Sequence, residues 1–165
     1  MEVALQEALD KANDVYQDLA EITNQVVRSY TGEINKLIDE ATDNVDNLTN
    51  EDIRKLIVKI SLQSYQFGDV KEKSALKAAC AETLRKEAYA NSFNLAEGSV
   101  AAKENKSTIN TSYQQMVELI YDGVASLFKT KLDECHRVVD ALKTVLMSRM
   151  SEAKLTAAVY ESEGQ

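Results

Sequence analysis

Cys135 and His136 are adjacent residues whose types suit nucleophilic chemistry. An imidazole activates a thiol only when the two side chains come within hydrogen-bonding distance. Neighbouring residues of an α-helix point about 100° apart, and the sequence around this pair has a helical pattern. The chain has a single histidine, so no second imidazole is available as a base. We therefore expect no catalysis at this pair.

Metal and phosphate chemistry also lack a motif. Cys80 and Cys135 are the only cysteines and are far apart in sequence, and no glycine-rich loop with a phosphate-binding lysine occurs. Both cysteines fall at apolar positions of predicted helices, so we expect two reduced thiols in the core. The sequence predicts no catalytic residue, cofactor, metal or small-molecule substrate. The enzyme alternative is an active site assembled between subunits.

The basic residues offer phosphate recognition instead. A lysine-rich stretch with interleaved aromatic residues suits single-stranded nucleic acid, because lysines follow the phosphates and aromatic rings stack on bases. The interleaved aromatic residues are Tyr65, Phe67, Tyr89, Phe93 and Tyr113. Glutamates alternate with these cations, so ordinary solvated helix positions are the alternative interpretation. The candidate nucleic-acid-binding residues are Lys71, Lys73, Lys77, Arg85, Lys86, Lys103 and Lys106.

Negative charge is concentrated near the N-terminus. Residues 1–53 hold thirteen Asp and Glu against three Lys and Arg, whereas the remainder is slightly basic, and the net charge is -8. An acidic arm over residues 1–48 can cover a basic surface of a partner or compete with nucleic acid for it. A solvated helix face is the alternative. The candidate partner-binding carboxylates are Glu7, Asp14 and Asp18.

A long C-terminal helix must position most of these residues. The chain contains no proline and five glycines, which favours helices. Apolar or small residues recur with a period of about 3.6 from Thr111 to Tyr160, which predicts one helix of roughly 75 Å. Its predicted buried stripe consists of Tyr113, Val117, Ile120, Val124, Phe128, Leu132, Cys135, Val139, Leu142, Leu146, Met150, Ala153, Ala157 and Tyr160.

Residues 3–44 predict a first long helix. Its slip in spacing at Tyr30–Gly32 leaves a kink and a true break both open. Asp43–Asn50 is the predicted connection to the next helix. Before the slip, a heptad seam indicates a partner helix, from this chain or from another subunit: Leu5, Ala8, Ala12, Val15, Leu19, Ile22 and Val26.

The middle of the chain predicts two helices. Thr49 begins a capping box, and Phe67–Asp69 is the predicted end of the first helix, because Gly68 suits a C-cap. The second helix, residues 70–92, has a predicted buried ridge at Leu76, Cys80, Leu84 and Ala88. Residues 94–110 form the least helical stretch, with a short helix over 100–105 as an option. Thr111 and Ser112 are the expected cap of the C-terminal helix.

These elements predict an all-α chain, a single helical domain over residues 1–165 with an arm (1–48) and a body (49–165). A helix of about 50 residues exceeds what a compact monomer covers, so we expect about four helices in a bundle with coiled-coil-like packing in a homo-oligomer. No stretch of 18 apolar residues and no signal-peptide pattern occur. We expect no membrane contact and a cytoplasmic location.

The segment Ile109–Gln114, followed at once by the long amphipathic helix, resembles the C-terminal part of UvsY-type recombination mediators of tailed phages. The Lys- and Ala-rich helix over residues 71–89 and the polar loop after it stand in a similar order. The resemblance covers about half of the chain. It implies a small, helical, oligomeric protein that binds single-stranded DNA and helps to load a recombinase. The seven cations named above would then contact DNA.

Two classes of function follow as hypotheses. The first is a non-enzymatic phage accessory protein of DNA recombination or replication, which oligomerises and binds single-stranded DNA or its protein complexes. The alternative is an acidic helical interaction protein without direct DNA binding. It would be an inhibitor of a host nucleic-acid enzyme, or a scaffold or virion component.

Overall fold

The chain is all-α, as the sequence predicts. The computed structural model describes the backbone of residues 2–163 and the side chains of residues 13–158. No strand occurs among these residues. A short 3-10 helix, Val45–Asn47, joins the first two of the four α-helices, which are α1 (Glu2–Asp43), α2 (Asn50–Leu95), α3 (Val100–Asn110) and α4 (Ser112–Glu163).

Two of the helices are longer than their glycines suggest. The first runs through Gly32 without interruption, so the true break considered at Tyr30–Gly32 does not occur. The predicted end of a helix at Phe67–Asp69 is wrong, because α2 continues through it. Phe67 is only 3% exposed, and burying its ring stabilises the helical path by more than the roughly 1 kcal/mol that Gly68 costs.

The start of α2 confirms the predicted capping box. The amide of Asp52 donates to Thr49 Oγ1 at 3.2 Å, and the amide of Thr49 donates to Asp52 Oδ2 at 3.2 Å. Thr49 Oγ1 also donates to Asp52 Oδ2 at 2.5 Å, and this bond, followed by the one from the Thr49 amide, lowers the pKa of the Asp52 carboxyl from its ordinary value. Because the folded-state pKa is depressed, the stabilisation is present near neutral pH and is lost as the pH falls through that pKa.

The turn before α4 differs from the prediction. The α3 helix extends to Asn110, and its N-cap is Ser99, whose hydroxyl accepts from the amide of Ala102. The predicted capping role of Thr111 is wrong, because its hydroxyl instead donates to the carbonyl of Ser107 at 2.9 Å. A hydroxyl that returns a bond to the preceding turn is a common alternative to capping.

The chain divides into two compact units. Unit 1 comprises the described parts of Met1–Tyr30 and Asp69–Lys129, and unit 2 comprises those of Thr31–Gly68 and Thr130–Gln165. The buried side chains of unit 1 are mostly small: Thr23, Val27, Ser74, Ala78, Ala81, Ala96, Ser107, Thr111, Val124 and Phe128. Those of unit 2 are larger on average: Thr31, Ile34, Ile38, Ala41, Ile53, Leu56, Ile60, Ser64, Phe67, Cys135, Val139 and Leu142.

The predicted stripe of α4 is confirmed in its central part. Five of its residues are buried, namely Val124, Phe128, Cys135, Val139 and Leu142. Its ends differ from the prediction, because Tyr113 is 70% and Met150 42% exposed, and Ala153 and Ala157 are exposed. Tyr160 lies outside the described side chains.

We expect Gly98→Ala and Gly32→Ala to change stability in opposite directions. Gly98 has φ +112°, where an alanine is strained by about 1–3 kcal/mol. Gly32 is helical, and a Cβ there meets nothing within 4 Å, so its alanine variant should gain about 0.5–1 kcal/mol. Urea denaturation followed by circular dichroism measures both, and equal signs would contradict the assignment of the Gly98 turn.

Candidate functional site

The seven candidate nucleic-acid-binding cations all lie in unit 1. Five are on α2, and Lys103 and Lys106 are on α3. Arg85 is the least available of them, because its Nε donates to Glu118 Oε2 of α4 at 2.8 Å and its side chain is 29% exposed. This ion pair joins two helices within unit 1, so Arg85 has a structural role.

Two further candidate cations lie over aromatic rings. Lys77 Nζ lies 5.1 Å from the ring centroid of Tyr121, and Lys103 Nζ lies 5.9 Å from that of Phe93. Such cation–π contacts contribute about 0.5–1 kcal/mol at exposed sites. Both ammonium groups therefore have intramolecular partners that a phosphate would have to replace.

The remaining candidates divide into paired and unpaired side chains. Lys71 Nζ is 3.0 Å from Glu72, and Lys86 Nζ is 2.6 Å from Glu82. In the part of the chain that the structure describes, Lys73 and Lys106 are exposed and have no ionic partner. Carboxylates therefore pair with three of the seven candidates, Lys71, Arg85 and Lys86, and interrupt the positive charge along these helices.

The interleaved aromatic residues do not form one stacking surface. Tyr65 is 79% exposed but belongs to unit 2, and Phe67 is buried. Tyr89 and Phe93 stack on each other with ring centroids 6.4 Å apart. Tyr113, at 70% exposure, is the most accessible of the interleaved rings in unit 1.

The acidic candidates lie on α1. Asp14 and Asp18 are exposed and one helical turn apart, which puts both carboxylates on one face of α1. The side chain of Glu7 lies outside the described residues. An accessible pair of carboxylates can approach a basic surface without losing an intramolecular contact.

A row of exposed apolar side chains on α1 adjoins these acids. Val15 is 51% exposed, Ile22 45%, Val26 39% and Tyr30 54%, and Leu19 is half-buried. They belong to the predicted heptad seam and its continuation, and three of the four seam residues with described side chains, Val15, Ile22 and Val26, are exposed. Leu5, Ala8 and Ala12 of the seam lie outside the described side chains.

The exposed apolar row of α2 in unit 1 corrects the sequence interpretation. Leu76 is 66% and Leu84 60% exposed, and Cys80 is exposed as well, so the predicted buried ridge and the predicted core position of Cys80 are wrong. The buried row is Ser74, Ala78 and Ala81. The small side chains of the buried row let α2 approach other helices closely, and the larger side chains of α2 face outward.

An open groove lies between α1 and α4 within unit 1. It has a volume of about 440 Å³, and none of the described residues that line it is charged: Tyr16, Leu19, Ala20, Thr23, Asn24, Leu119, Gly123, Ser126 and Leu127. A Cβ on Gly123 would lie 3.1 Å from Thr23 Cγ2, so this glycine permits the close approach of the two helices.

The thiol and imidazole of the C-terminal helix lie on different sides of it. Cys135 is fully buried, and burial raises the pKa of its thiol, whereas His136 is exposed. Among the described residues, no group of three His, Cys, Asp or Glu side chains could hold a metal ion. None of the described helices has an apolar stretch long enough to cross a bilayer.

No protein-family model, curated protein or solved structure matches this chain.

Proposed function

We propose that this chain is a non-enzymatic helical interaction protein, which works by packing exposed apolar rows of its helices against other helices. The observation that carries the proposal is the row on α1, where Val15, Ile22 and Val26 are between 39% and 51% exposed. Exposed apolar rows rimmed by polar residues are typical of protein–protein surfaces. The proposal includes homo-oligomers with coiled-coil-like packing.

The charge around this row indicates the chemistry of a partner. Asp14 and Asp18 are exposed, and the surrounding arm is strongly acidic. A complementary surface is an apolar groove or helix flanked by Lys and Arg, because opposite potentials steer association and exclude wrong partners. The acidic arm fits one form of this proposal best. In that form, the chain is a cytoplasmic inhibitor that covers a basic groove of a nucleic-acid enzyme.

The phage recombination role is the second proposal. It is supported by Lys73 and Lys106, which are exposed in unit 1 and unpaired among the described residues. In this form the oligomer would bind single-stranded DNA, or proteins on it, through these cations. It is the weaker proposal because Arg85, Lys77 and Lys103 already have partners in the chain.

Fluorescence anisotropy with two labelled probes separates these proposals. One probe is a synthetic amphipathic helical peptide of leucines and lysines, and the other a single-stranded oligonucleotide, each titrated at about 50 and 200 mM salt. The interaction proposal predicts binding of the peptide alone, lost in Asp14→Lys/Asp18→Lys. The matched control is Asp39→Lys/Asp43→Lys, an exposed pair with the same spacing on α1.

Each result supports or overturns a proposal. Oligonucleotide binding that falls by orders of magnitude with salt, and that is weakened by Lys73→Glu and Lys106→Glu, supports the second proposal and removes the first. Peptide binding that survives the Asp14 and Asp18 changes, or no peptide binding at either salt concentration, contradicts the first. Absence of oligonucleotide binding contradicts direct DNA binding.

A further inference from the structure

The outward face of α2 in unit 1 has an unusual symmetry. Leu76, Cys80 and Leu84 form its exposed apolar row, on a different side of the helix from the buried Ser74, Ala78 and Ala81. Lys73 and Glu87 stand one turn beyond either end of this row. The positions 73, 76, 80, 84 and 87 follow steps of three, four, four and three, which read the same in both directions from Cys80.

This symmetry matters when two copies of α2 are paired. In an antiparallel pair with the two-fold axis at Cys80, each Leu76 meets Leu84 of the partner subunit. Each Lys73 then meets Glu87 of the partner subunit, so attraction occurs at both ends. A two-fold interface uses the same patch on both copies and therefore requires this kind of self-complementarity.

A parallel pair of the same helices is unfavourable. It would bring Lys73 against Lys73 of the partner subunit, and Glu87 against Glu87 of the partner subunit. Like charges opposite each other weaken helix pairing and are a common device against wrong orientations. The charges of Lys73 and Glu87 therefore favour the antiparallel orientation over the parallel one.

The two charged side chains are available for such contacts. Lys73 and Glu87 are both exposed, and neither has an ion-pair partner among the described residues. The cations beside the row are occupied, since Lys77 lies over Tyr121 and Lys86 pairs with Glu82. Lys73 and Glu87, which fit the antiparallel arrangement, are therefore the unpaired charges that directly flank the row.

We propose that two copies of this chain associate through the antiparallel pairing of α2 helices, with the two-fold axis at Cys80. The inference deepens the proposed function, because it names a second copy as the occupant of one exposed row. The other exposed row, on α1, stays available for a different partner. Unit 1 would then present a partner-binding helix on each side of a dimer.

Disulfide cross-linking tests the axis directly. Diamide takes two electrons and two protons from a pair of thiols, and it leaves a covalent bond between their sulfur atoms. We expect the wild-type protein to form a covalent dimer of two 18.3 kDa chains on a non-reducing gel within minutes. Cys80→Ser should abolish this dimer, and Cys135→Ser should leave it unchanged, because Cys135 is buried.

Charge exchange tests the orientation. In analytical ultracentrifugation, Lys73→Glu or Glu87→Lys alone should raise the dimer Kd about tenfold, and the double variant should restore it to within about threefold, because exchange preserves the opposite-charge contacts. Lys106→Glu is the matched control, an exposed unit 1 cation away from the row. Circular dichroism at 222 nm shows that each variant is still helical.

The outcomes separate this inference from the proposed function. A dimer that lacks the Cys80 cross-link, or whose charge-exchanged variant is as weak as the single variants, overturns the antiparallel pairing. A monomer at all concentrations that still binds the leucine–lysine peptide overturns the pairing and supports the proposed function. A dimer with both the cross-link and the rescue supports the pairing, even if the peptide fails to bind.

Discussion

Phe128→Ala should lower the free energy of unfolding by about 3–5 kcal/mol. Phe128 is fully buried in unit 1, where most other buried side chains are small. Its ring meets the ring of Tyr30 edge to face, with centroids 5.8 Å apart and an interplanar angle of 73°. Because most of the buried side chains of unit 1 are short, we expect little relaxation into the cavity that the ring would leave. Urea denaturation followed at 222 nm measures the loss.

Leu119→Ala is the control for Phe128→Ala, because Leu119 is on the same helix and 49% exposed. We expect it to change stability by no more than about 0.5 kcal/mol. Tyr30→Leu should cost about 0.5–1.5 kcal/mol for the lost ring contact, and much less when Phe128 is already alanine. A loss below about 1 kcal/mol in Phe128→Ala would contradict the central place of this ring.

Arg149→Met should destabilise unit 2 by about 2–3 kcal/mol. Nη1 of Arg149 donates to the carbonyl of Leu48 at 2.6 Å, and Nη2 donates to that of Val45 at 2.9 Å. The guanidinium therefore satisfies backbone carbonyls of the connection between α1 and α2. Methionine keeps a similar apolar stem and removes every donor, so the measured loss reports these bonds. Thermal and urea unfolding of the variant measure it.

The comparison for Arg149→Met is Arg137→Met on the same helix. Arg137 is exposed, and its Nε donates at 3.3 Å to the backbone carbonyl of Asp133, one turn away. We expect a change of about 0.5 kcal/mol or less there. Arg149→Lys should fall between the two, because a single ammonium cannot reproduce the fork of guanidinium donors. Equal effects at the two arginines would contradict the role of Arg149.

The sequence predicts the helices of this fold well for a simple physical reason. In α4, the large residues Val124, Phe128, Val139 and Leu142 repeat with the helical period, and no proline interrupts them. Large apolar side chains at this spacing have one energetically good arrangement, which is a buried helix face. The cap at Thr49 could also be predicted from the sequence, because its hydrogen bonds join residues that are close together in the chain.

The buried face of α2 was not predictable in the same way. Its sequence contains two rows with helical period, the larger one at Leu76 and Leu84 and the smaller one at Ala78 and Ala81. Periodicity alone indicates that both rows exist, but it does not indicate which of them meets the rest of the same chain. The end predicted at Gly68 failed because the burial of Phe67, a tertiary contact, overrides a local preference.

The candidate site was predictable only as a set of residue types. The sequence identifies Lys77 and Arg85 as candidate cations, but it does not identify their partners. Tyr121 is 44 positions from Lys77, and Glu118 is 33 positions from Arg85. Pairing across such separations depends on how the helices pack, which no local pattern encodes. The exposure of Asp14 and Asp18 could be predicted without knowing how the helices pack, because both residues lie on a charged helix face.

The contrast between the two cores gives each unit a different tendency to open. Small side chains such as Ala78 and Ala81 bury less apolar area than Ile53 and Ile60 do in unit 2. Regions that bury less apolar area exchange their amide hydrogens through local openings of lower free energy. A partner that binds only the closed form of unit 1 therefore suppresses these local openings. Its binding should slow amide hydrogen exchange throughout unit 1, including in helices that it does not contact.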